Sequence, residues 1–273
     1  MSPEAGAAVS VRERAASGLG LAVRQVAWHN KAFWRNPAAA FFTFAFPLMF
    51  LVIFTSIFDD TATLHTGQEV ALSTYYTGSI LAFSVITACY TNVAISVTSL
   101  REEGILKRVR GTPLPGWSYL TGKVIHSVLL MVLLVVIVVA FGAAFYDVEV
   151  PTTSLPAFVV TLLVGAAAFA ALGLAASVVT PNVDAAPAVT NATVLPLLFL
   201  SGVFVPIDDA PRWMHVVGDI FPVKPFLEAV LASFFPSDAH PRGWEPAHLL
   251  VVAAWGAAGL AFAARQFRWD PRR

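Results

Sequence analysis

A charged stretch between two long apolar segments, residues 101–123, reads REEGILKRVRGTPLPGWSYLTGK. It is the longest charge-dense run in a chain that is otherwise mostly apolar. A charged side chain at the centre of a lipid bilayer costs roughly 2.5–3.5 kcal/mol even on a lenient insertion scale. The stretch is therefore predicted to lie at a water-facing surface, with the apolar segments on its two sides in the membrane.

The composition of the whole chain is typical of an integral membrane protein. Of its 273 residues, 57% are hydrophobic and 12% are charged, and the mean hydropathy is +0.72. Soluble domains usually carry about 25% charged residues. The first 35 residues are polar and basic and lack the apolar core of a secretory signal. The single cysteine, Cys89, excludes an internal disulfide.

Six segments of 19 residues or more contain no Asp, Glu, Lys or Arg. A helix that crosses the hydrocarbon core needs about 20 apolar residues. Because backbone polar groups in lipid must be satisfied within the segment, we expect helices, and the alternating pattern of a membrane barrel is absent. The fold class is therefore all-α, a single transmembrane domain over residues 1–273. The predicted spans lie near residues 38–58, 74–100, 122–146, 157–180, 187–206 and 246–264.

The basic residues predict the orientation. With six spans both termini share one side, and fourteen of the 17 Lys and Arg residues fall on it. Cytoplasmic loops carry such an excess of positive charge. We therefore expect a multi-pass protein of the cell (plasma) membrane with both termini in the cytoplasm and residues 101–123 facing the same side.

Two segments outside the six spans are predicted to lie at membrane surfaces. Residues 9–35 combine an apolar face, a basic face and two tryptophans, Trp28 and Trp34, which is the pattern of an interfacial amphipathic helix. The residues of the predicted apolar face are Leu19, Val23, Val26 and Phe33. Residues 202–245 are apolar and proline-rich, with runs too short to span. Short re-entrant helices that dip into the outer leaflet fit this segment.

Polar residues within the second and fifth predicted spans have two interpretations. Polar groups in lipid should face another helix or a cavity, so they either hold helices together or line a substrate pathway. The side chains that we consider for a pathway, with one aromatic neighbour, are Thr87, Tyr90, Thr91, Asn92, Asn191, Thr193 and Phe199.

Sequence motifs for chemistry by this chain are lacking. Residues 116–123, GWSYLTGK, approach a phosphate-binding loop, but five residues separate the two glycines where four are needed. Val124 also replaces the Ser or Thr that binds Mg²⁺. The histidines are scattered without a metal-ligand spacing. We expect neither an enzyme nor a bound cofactor or metal.

Two motifs resemble those of type-2 ABC exporter permeases. Residues 102–108 (EEGILKR), followed by 112–115 (TPLP), are similar to that family's cytoplasmic signature, although Lys107 stands where an acid is common. Residues 200–206 (LSGVFVP), followed by PRWM at 211–214, are similar to the outer segment after the fifth span in drug- and antibiotic-resistance permeases. The resemblance covers roughly residues 20–265.

The resemblance implies an assembly. Two permease copies, identical or related, would each dock a separate ATP-binding subunit that binds ATP and Mg²⁺. The charged stretch would form a short cytoplasmic coupling helix, and substrate would leave along the dimer interface. The residues that this implies for coupling are Arg101, Glu102, Glu103, Gly104, Leu106, Lys107, Arg108, Thr112 and Pro113.

The substrate class remains open at this point. A hydrophobic or amphipathic molecule, such as a drug, a lipid or a glycolipid, suits the apolar outer segment and multidrug export. A polysaccharide or lipid-linked glycan exporter is the alternative within the family. A membrane-embedded lipid-modifying enzyme would need a charged constellation at a membrane face, and a secondary carrier would need intramembrane carboxylates. Neither pattern is found, and no nucleic-acid partner is expected.

Overall fold

The computed structural model describes residues 20–21, 23–57, 61–63, 69–111, 116–207, 210–236 and 242–267. Over these ranges the protein is mostly helical, with one short antiparallel hairpin that pairs Thr61 with Ala71. Two predicted coupling residues, Thr112 and Pro113, lie outside the described ranges, as do residues 9–19 of the predicted interfacial helix.

Helices follow one another along most of the described chain. In chain order the elements are α1 (residues 23–34), α2 (Pro37–Ile57), β1 (Thr61–Thr63), β2 (Glu69–Ala71), α3 (Leu72–Ile86), α4 (Asn92–Glu102), α5 (Ile105–Arg110), α6 (Gly116–Phe145), α7 (Leu155–Val179), α8 (Ala185–Leu200), α9 (Arg212–Ile220), α10 (Val223–Phe234) and α11 (Pro246–Gln266). A π-helical turn, Thr87–Thr91, joins α3 to α4, so these helices form one continuous rod.

Five helices among the described residues are long and apolar enough to cross a membrane. They lie at Ala40–Ile57, Leu72–Glu102, Tyr119–Phe145, Leu155–Val179 and Pro246–Gln266. The apolar helix α8 is shorter, with 16 residues. It ends at Leu200, six residues before the predicted end of the fifth span near 206. Gly202 takes a φ of +85°, a left-handed conformation that stops the helix.

Helix α3 lies at the centre of the bundle, and helix α10 packs against it. The side chains of Tyr76, Ile80 and Leu81 in α3 are fully buried, and Phe226 of α10 is also fully buried. Two short helices, α9 and α10, follow α8 in the segment where the sequence predicts short re-entrant helices. Helix α10 contacts α3, α7 and α11, so it packs among the long helices of the bundle.

Helix α1 contacts the start of α6 through its most buried residue, His29, and through Phe33. The apolar face predicted from the sequence included Val23, which is exposed. The packed face is therefore centred on a histidine, and Trp28 and Trp34 remain exposed on either side of it.

Small residues let α7 approach its neighbours closely. A Cβ added to Gly173 would lie 2.6 Å from the backbone oxygen of Tyr90 and 3.0 Å from that of Cys89. A Cβ on Gly256 of α11 would lie 2.7 Å from Cα of Ala168. Close backbone contact of this kind is the usual role of glycine and alanine in helix packing within membranes. The contact at Gly173 fixes α7 against the π-helical turn.

We predict that Gly173→Ala lowers the stability of the bundle by about 1–3 kcal/mol, because the backbone of the π-helical turn must move to admit the methyl group. Thermal unfolding of the purified protein in detergent measures this loss. Ala167→Val is the matched control, since Ala167 is exposed on the same helix. Equal unfolding midpoints for Gly173→Ala and the unchanged protein would contradict the close approach.

Candidate functional site

The charged stretch begins with a helix end and a sharp turn. Helix α4 ends at Glu102, and Gly104 follows with a φ of +69°. The amide of Gly104 donates to the carbonyl of Arg101 at 3.1 Å, as in a glycine-terminated helix end. Helix α5 then starts at Ile105. Gly104 therefore makes a sharp turn between α4 and α5, and this turn sets the direction in which α5 leaves the bundle.

Arg101 binds the end of another helix. Its guanidinium donates to the carbonyl oxygens of Ser177 at 2.7 Å and Thr180 at 2.6 Å, at the carboxyl end of α7. The side chain is 3% exposed. The last carbonyls of a helix lack intrahelical partners and carry partial negative charge, so a guanidinium there is favourable. Arg101, one of the residues that the resemblance implies for coupling, therefore lies in the interior and joins α4 to the end of α7.

Glu102 binds the next element along. Its carboxylate accepts a hydrogen bond from the amide of Val183 at 2.6 Å, in the turn that leads into α8. In the same turn, the side chain of Asn182 accepts from the amide of Ala185 at 2.8 Å. The start of a helix carries partial positive charge, which favours a carboxylate. We call the contacts of Arg101 and Glu102 with residues 177–183 the helix-end clamp.

The remainder of the turn divides into a buried and an exposed side. The carboxylate of Glu103 accepts a hydrogen bond from the Ser99 hydroxyl at 2.7 Å and stays exposed. Leu106 is fully buried in the core. Lys107 and Arg108 are exposed. Helix α5 therefore presents a basic surface to the solvent from a buried apolar base.

The predicted pathway residues come together only in part. The hydroxyl groups of Tyr90 and Thr193 lie 2.6 Å apart and join the π-helical turn to α8. Asn92 accepts a hydrogen bond from Ser96 at 2.9 Å, within its own helix. The remaining residues of this set are exposed or half-buried, namely Thr87, Thr91, Asn191 and Phe199.

Sequence reasoning did not identify two parts of this site. The π-helical turn has no signature in the apolar pattern, although such turns are frequent at functional sites. The partners of Arg101 and Glu102 are mostly backbone atoms of residues 177–183, so their side chains carry no signal. Within the described ranges, no group of three His, Cys, Asp or Glu side chains is placed to hold a metal ion.

Comparison with protein families identifies the chain's relatives. The model of the ABC-2 type transporter family matches residues 24–235, most of the chain. The chain belongs to the ABC-2 type transporter family. The match includes the charged stretch, the clamp and α10, and it confirms the resemblance found in the two motifs.

Individual relatives are 22–24% identical to the chain over the aligned residues. A protein described as a transport permease, YvfS of Bacillus subtilis (strain 168), is 24% identical over 69% of the chain and 75% of its own length. A multidrug ABC transporter permease, YbhR of Escherichia coli (strain K12), is 23% identical over 69% of the chain and 51% of its own length. A protein described as a transport permease, ycf38 of Porphyra purpurea, is 22% identical over 83% of the chain and 76% of its own length.

We predict that Arg101→Gln in this ABC-2 protein lowers the free energy of unfolding by about 1.5–3 kcal/mol, because charge-assisted hydrogen bonds to buried acceptors are lost. Thermal unfolding in detergent measures the change. Arg108→Gln removes the same charge from an exposed site of α5 and should leave the unfolding midpoint nearly unchanged. Equal effects of the two substitutions would show that the clamp contributes nothing to stability.

Proposed function

We propose that this chain is the membrane-spanning permease subunit of an ATP-driven exporter. We further propose that residues 103–111, here called the charged turn, receive the ATP-binding subunit. Membership of the ABC-2 family makes it a membrane transport permease of an ABC transporter. Permeases of this family work with an ATP-binding subunit. The observation that favours this contact is that an exposed basic helix is fixed to the bundle by the helix-end clamp and by the buried side chain of Leu106.

The charges of the turn suit a docking surface. Lys107 and Arg108 are exposed, as is Glu103, and the short helix that carries the two basic residues is held by buried Leu106. Charged groups across an interface set orientation and association rate more than they set affinity. A rigid surface of this kind orients a partner and transmits its movement.

The clamp supplies a route for that movement into the bundle. Force on α5 would pass through Gly104 to α4, and through Arg101 and Glu102 to the α7–α8 turn. Helices α4 and α8 would then move together, with the Tyr90–Thr193 contact between them. ATP binding to the partner would thereby shift the equilibrium between two packing arrangements of the same helices, and this shift couples ATP to transport.

The remaining parts of the proposal concern topology and assembly. Helix α8 serves as a sixth span, both termini are cytoplasmic in the plasma membrane, and a second permease copy completes the pathway. Exposed apolar side chains on α2, including Phe41, Phe42 and Phe46, suit contact with lipid or with that copy. The region beside Tyr90, Thr193 and Asn191 would face the substrate.

The substrate that we propose is a hydrophobic or amphipathic molecule. The pathway-facing side of α8 carries exposed Leu195 and Phe199 beside few polar groups. One relative, YbhR, is described as a multidrug permease, which agrees with this class. A lipid-linked glycan is the second candidate within the same class of amphipathic molecules.

We expect the double substitution Lys107→Glu and Arg108→Glu to weaken binding of the ATP-binding subunit by about tenfold or more, since it reverses two charges at the contact. Co-purification from membranes that contain both subunits measures this. The permease alone should keep its unfolding midpoint, because both side chains are exposed.

Arg265→Glu is the matched control for that experiment, as an exposed basic residue at the end of α11. It should leave the complex intact. Full assembly and ATP-driven transport by the Lys107→Glu, Arg108→Glu protein would exclude α5 as the docking surface.

A further inference from the structure

A group of buried polar side chains lies between α1 and α6, and two of its members belong to the carboxyl end of the charged stretch 101–123. We call it the α1–α6 polar cluster. Its α6 members recur at three- or four-residue spacing, so they share one face of that helix. Each member is nine-tenths or more buried. The cluster consists of His29 from α1 and of Tyr119, Lys123, His126 and Ser127 from α6.

Four polar atoms of this cluster lack hydrogen-bond partners. The His29 ring lies 5.2 Å from the Tyr119 ring and 6.1 Å from the His126 ring, measured between centroids. Nε2 of His29, the hydroxyl of Tyr119, Nδ1 of His126 and Oγ of Ser127 are buried without a hydrogen bond. Buried polar atoms without hydrogen bonds destabilise the folded protein, so a polar ligand that bonded to them would be stabilised here.

The charge of the cluster is positive. Among the described residues, no carboxylate lies within ion-pairing distance of the Lys123 ammonium. Glu103, which acts electrostatically on Tyr119, is exposed and hydrogen-bonded to Ser99. Burial, followed by the charge of Lys123 and by His126, lowers the pKa of His29 to about 4. His29 is therefore neutral near pH 7, while Lys123 supplies a single positive charge.

The donors in the cluster match the acceptors of a monoanionic phosphate ester. A lysine ammonium offers three donors, a neutral imidazole one, and each hydroxyl one. Oxyanions of phosphate accept several such bonds at once, and bonds to a charged partner are the stronger ones. One ammonium balances the single charge of a phosphodiester.

An apolar groove begins beside the cluster. It measures about 450 Å³ and is lined by Trp34, Ala40, Phe41, Phe44, Ala45 and Leu48. Phe33 connects the two sites, because its ring lies 5.9 Å from that of His126 and 6.3 Å from that of Phe44. A phosphate-binding group at one end and an apolar groove at the other match the two parts of a phospholipid.

We propose that the α1–α6 polar cluster and the adjoining groove form a binding site for an anionic phospholipid of the membrane. The phosphodiester accepts hydrogen bonds from Lys123 and its neighbours, and one acyl chain occupies the groove along α2. Entry of the headgroup requires the Phe33 ring to turn aside. The lipid would fix α1 against α6 next to the charged turn. The site does not depend on the proposed ATP-binding partner.

Native mass spectrometry of the purified chain in detergent, titrated with dioleoylphosphatidylglycerol, tests this site. Lys123→Gln should weaken lipid binding about tenfold, the equivalent of one charge-assisted hydrogen bond. Ala45→Trp, which fills the groove, should weaken it by a similar factor. The controls Lys107→Gln and Met49→Trp, at exposed positions outside the site, should leave affinity within about twofold of the unchanged chain.

Two further probes separate the possible sources of the oxyanion. Dioleoylphosphatidylcholine carries the same phosphodiester with an added cation, so it should bind about fivefold more weakly, because its choline would approach Lys123. Inorganic phosphate should neither bind at micromolar concentration nor displace the lipid. Phosphate binding that is equally tight and insensitive to Ala45→Trp would overturn the lipid assignment in favour of a free anion.

The unfolding midpoints of the variants show whether a loss of lipid binding reflects a lost contact or a failure to fold. Lys123→Gln removes a buried charge without an ion-pair partner, so its unfolding midpoint without added lipid should stay equal or rise. Ala45→Trp changes only the groove and gives an independent reading if Lys123→Gln fails to fold. Unchanged phosphatidylglycerol affinity in either folded variant would overturn the proposal.

Discussion

Arg101 and Glu102 are neighbours in the chain with opposite charges, and each binds the helix end whose partial charge it complements. The guanidinium donates hydrogen bonds to the last carbonyls of α7, and the carboxylate accepts one from an amide just before α8. The first amides and the last carbonyls of a helix are available for such contacts because they have no hydrogen-bond partner within the helix. One dipeptide thereby joins the end of the second span, through α4, to the connection between two other helices.

Several other residues hold the helices around this clamp in fixed positions. Leu106 buries the base of α5, Gly104 sets its direction, and Gly173 holds α7 against the π-helical turn. A displacement of α5 would therefore pass through tightly packed contacts to the hydrogen-bonded pair Tyr90 and Thr193. Packed interiors shift between discrete arrangements and do not deform continuously, which suits a two-state transporter.

The sequence predicted those parts of the protein that follow from charge and hydropathy. The charged stretch and the turn at Gly104 are local properties, and the two motifs led to the family. The burial of Arg101 could not be predicted, because it depends on backbone carbonyls of residues 177 and 180 that the fold brings close. The inward position of α10 likewise depends on tertiary contacts, such as that of Phe226 with α7.

The clamp's central role can be measured as a distance. With Cys89 replaced by alanine, spin labels at Gly111→Cys and Asp184→Cys would report, by double electron–electron resonance in lipid nanodiscs, on the separation of α5 from the α7–α8 turn. Both positions are exposed. The clamp predicts one narrow distance distribution, unchanged when the assembled transporter binds ATP, and a broad one after Arg101→Gln and Glu102→Gln. A broad or ATP-dependent distribution with both residues intact would contradict it.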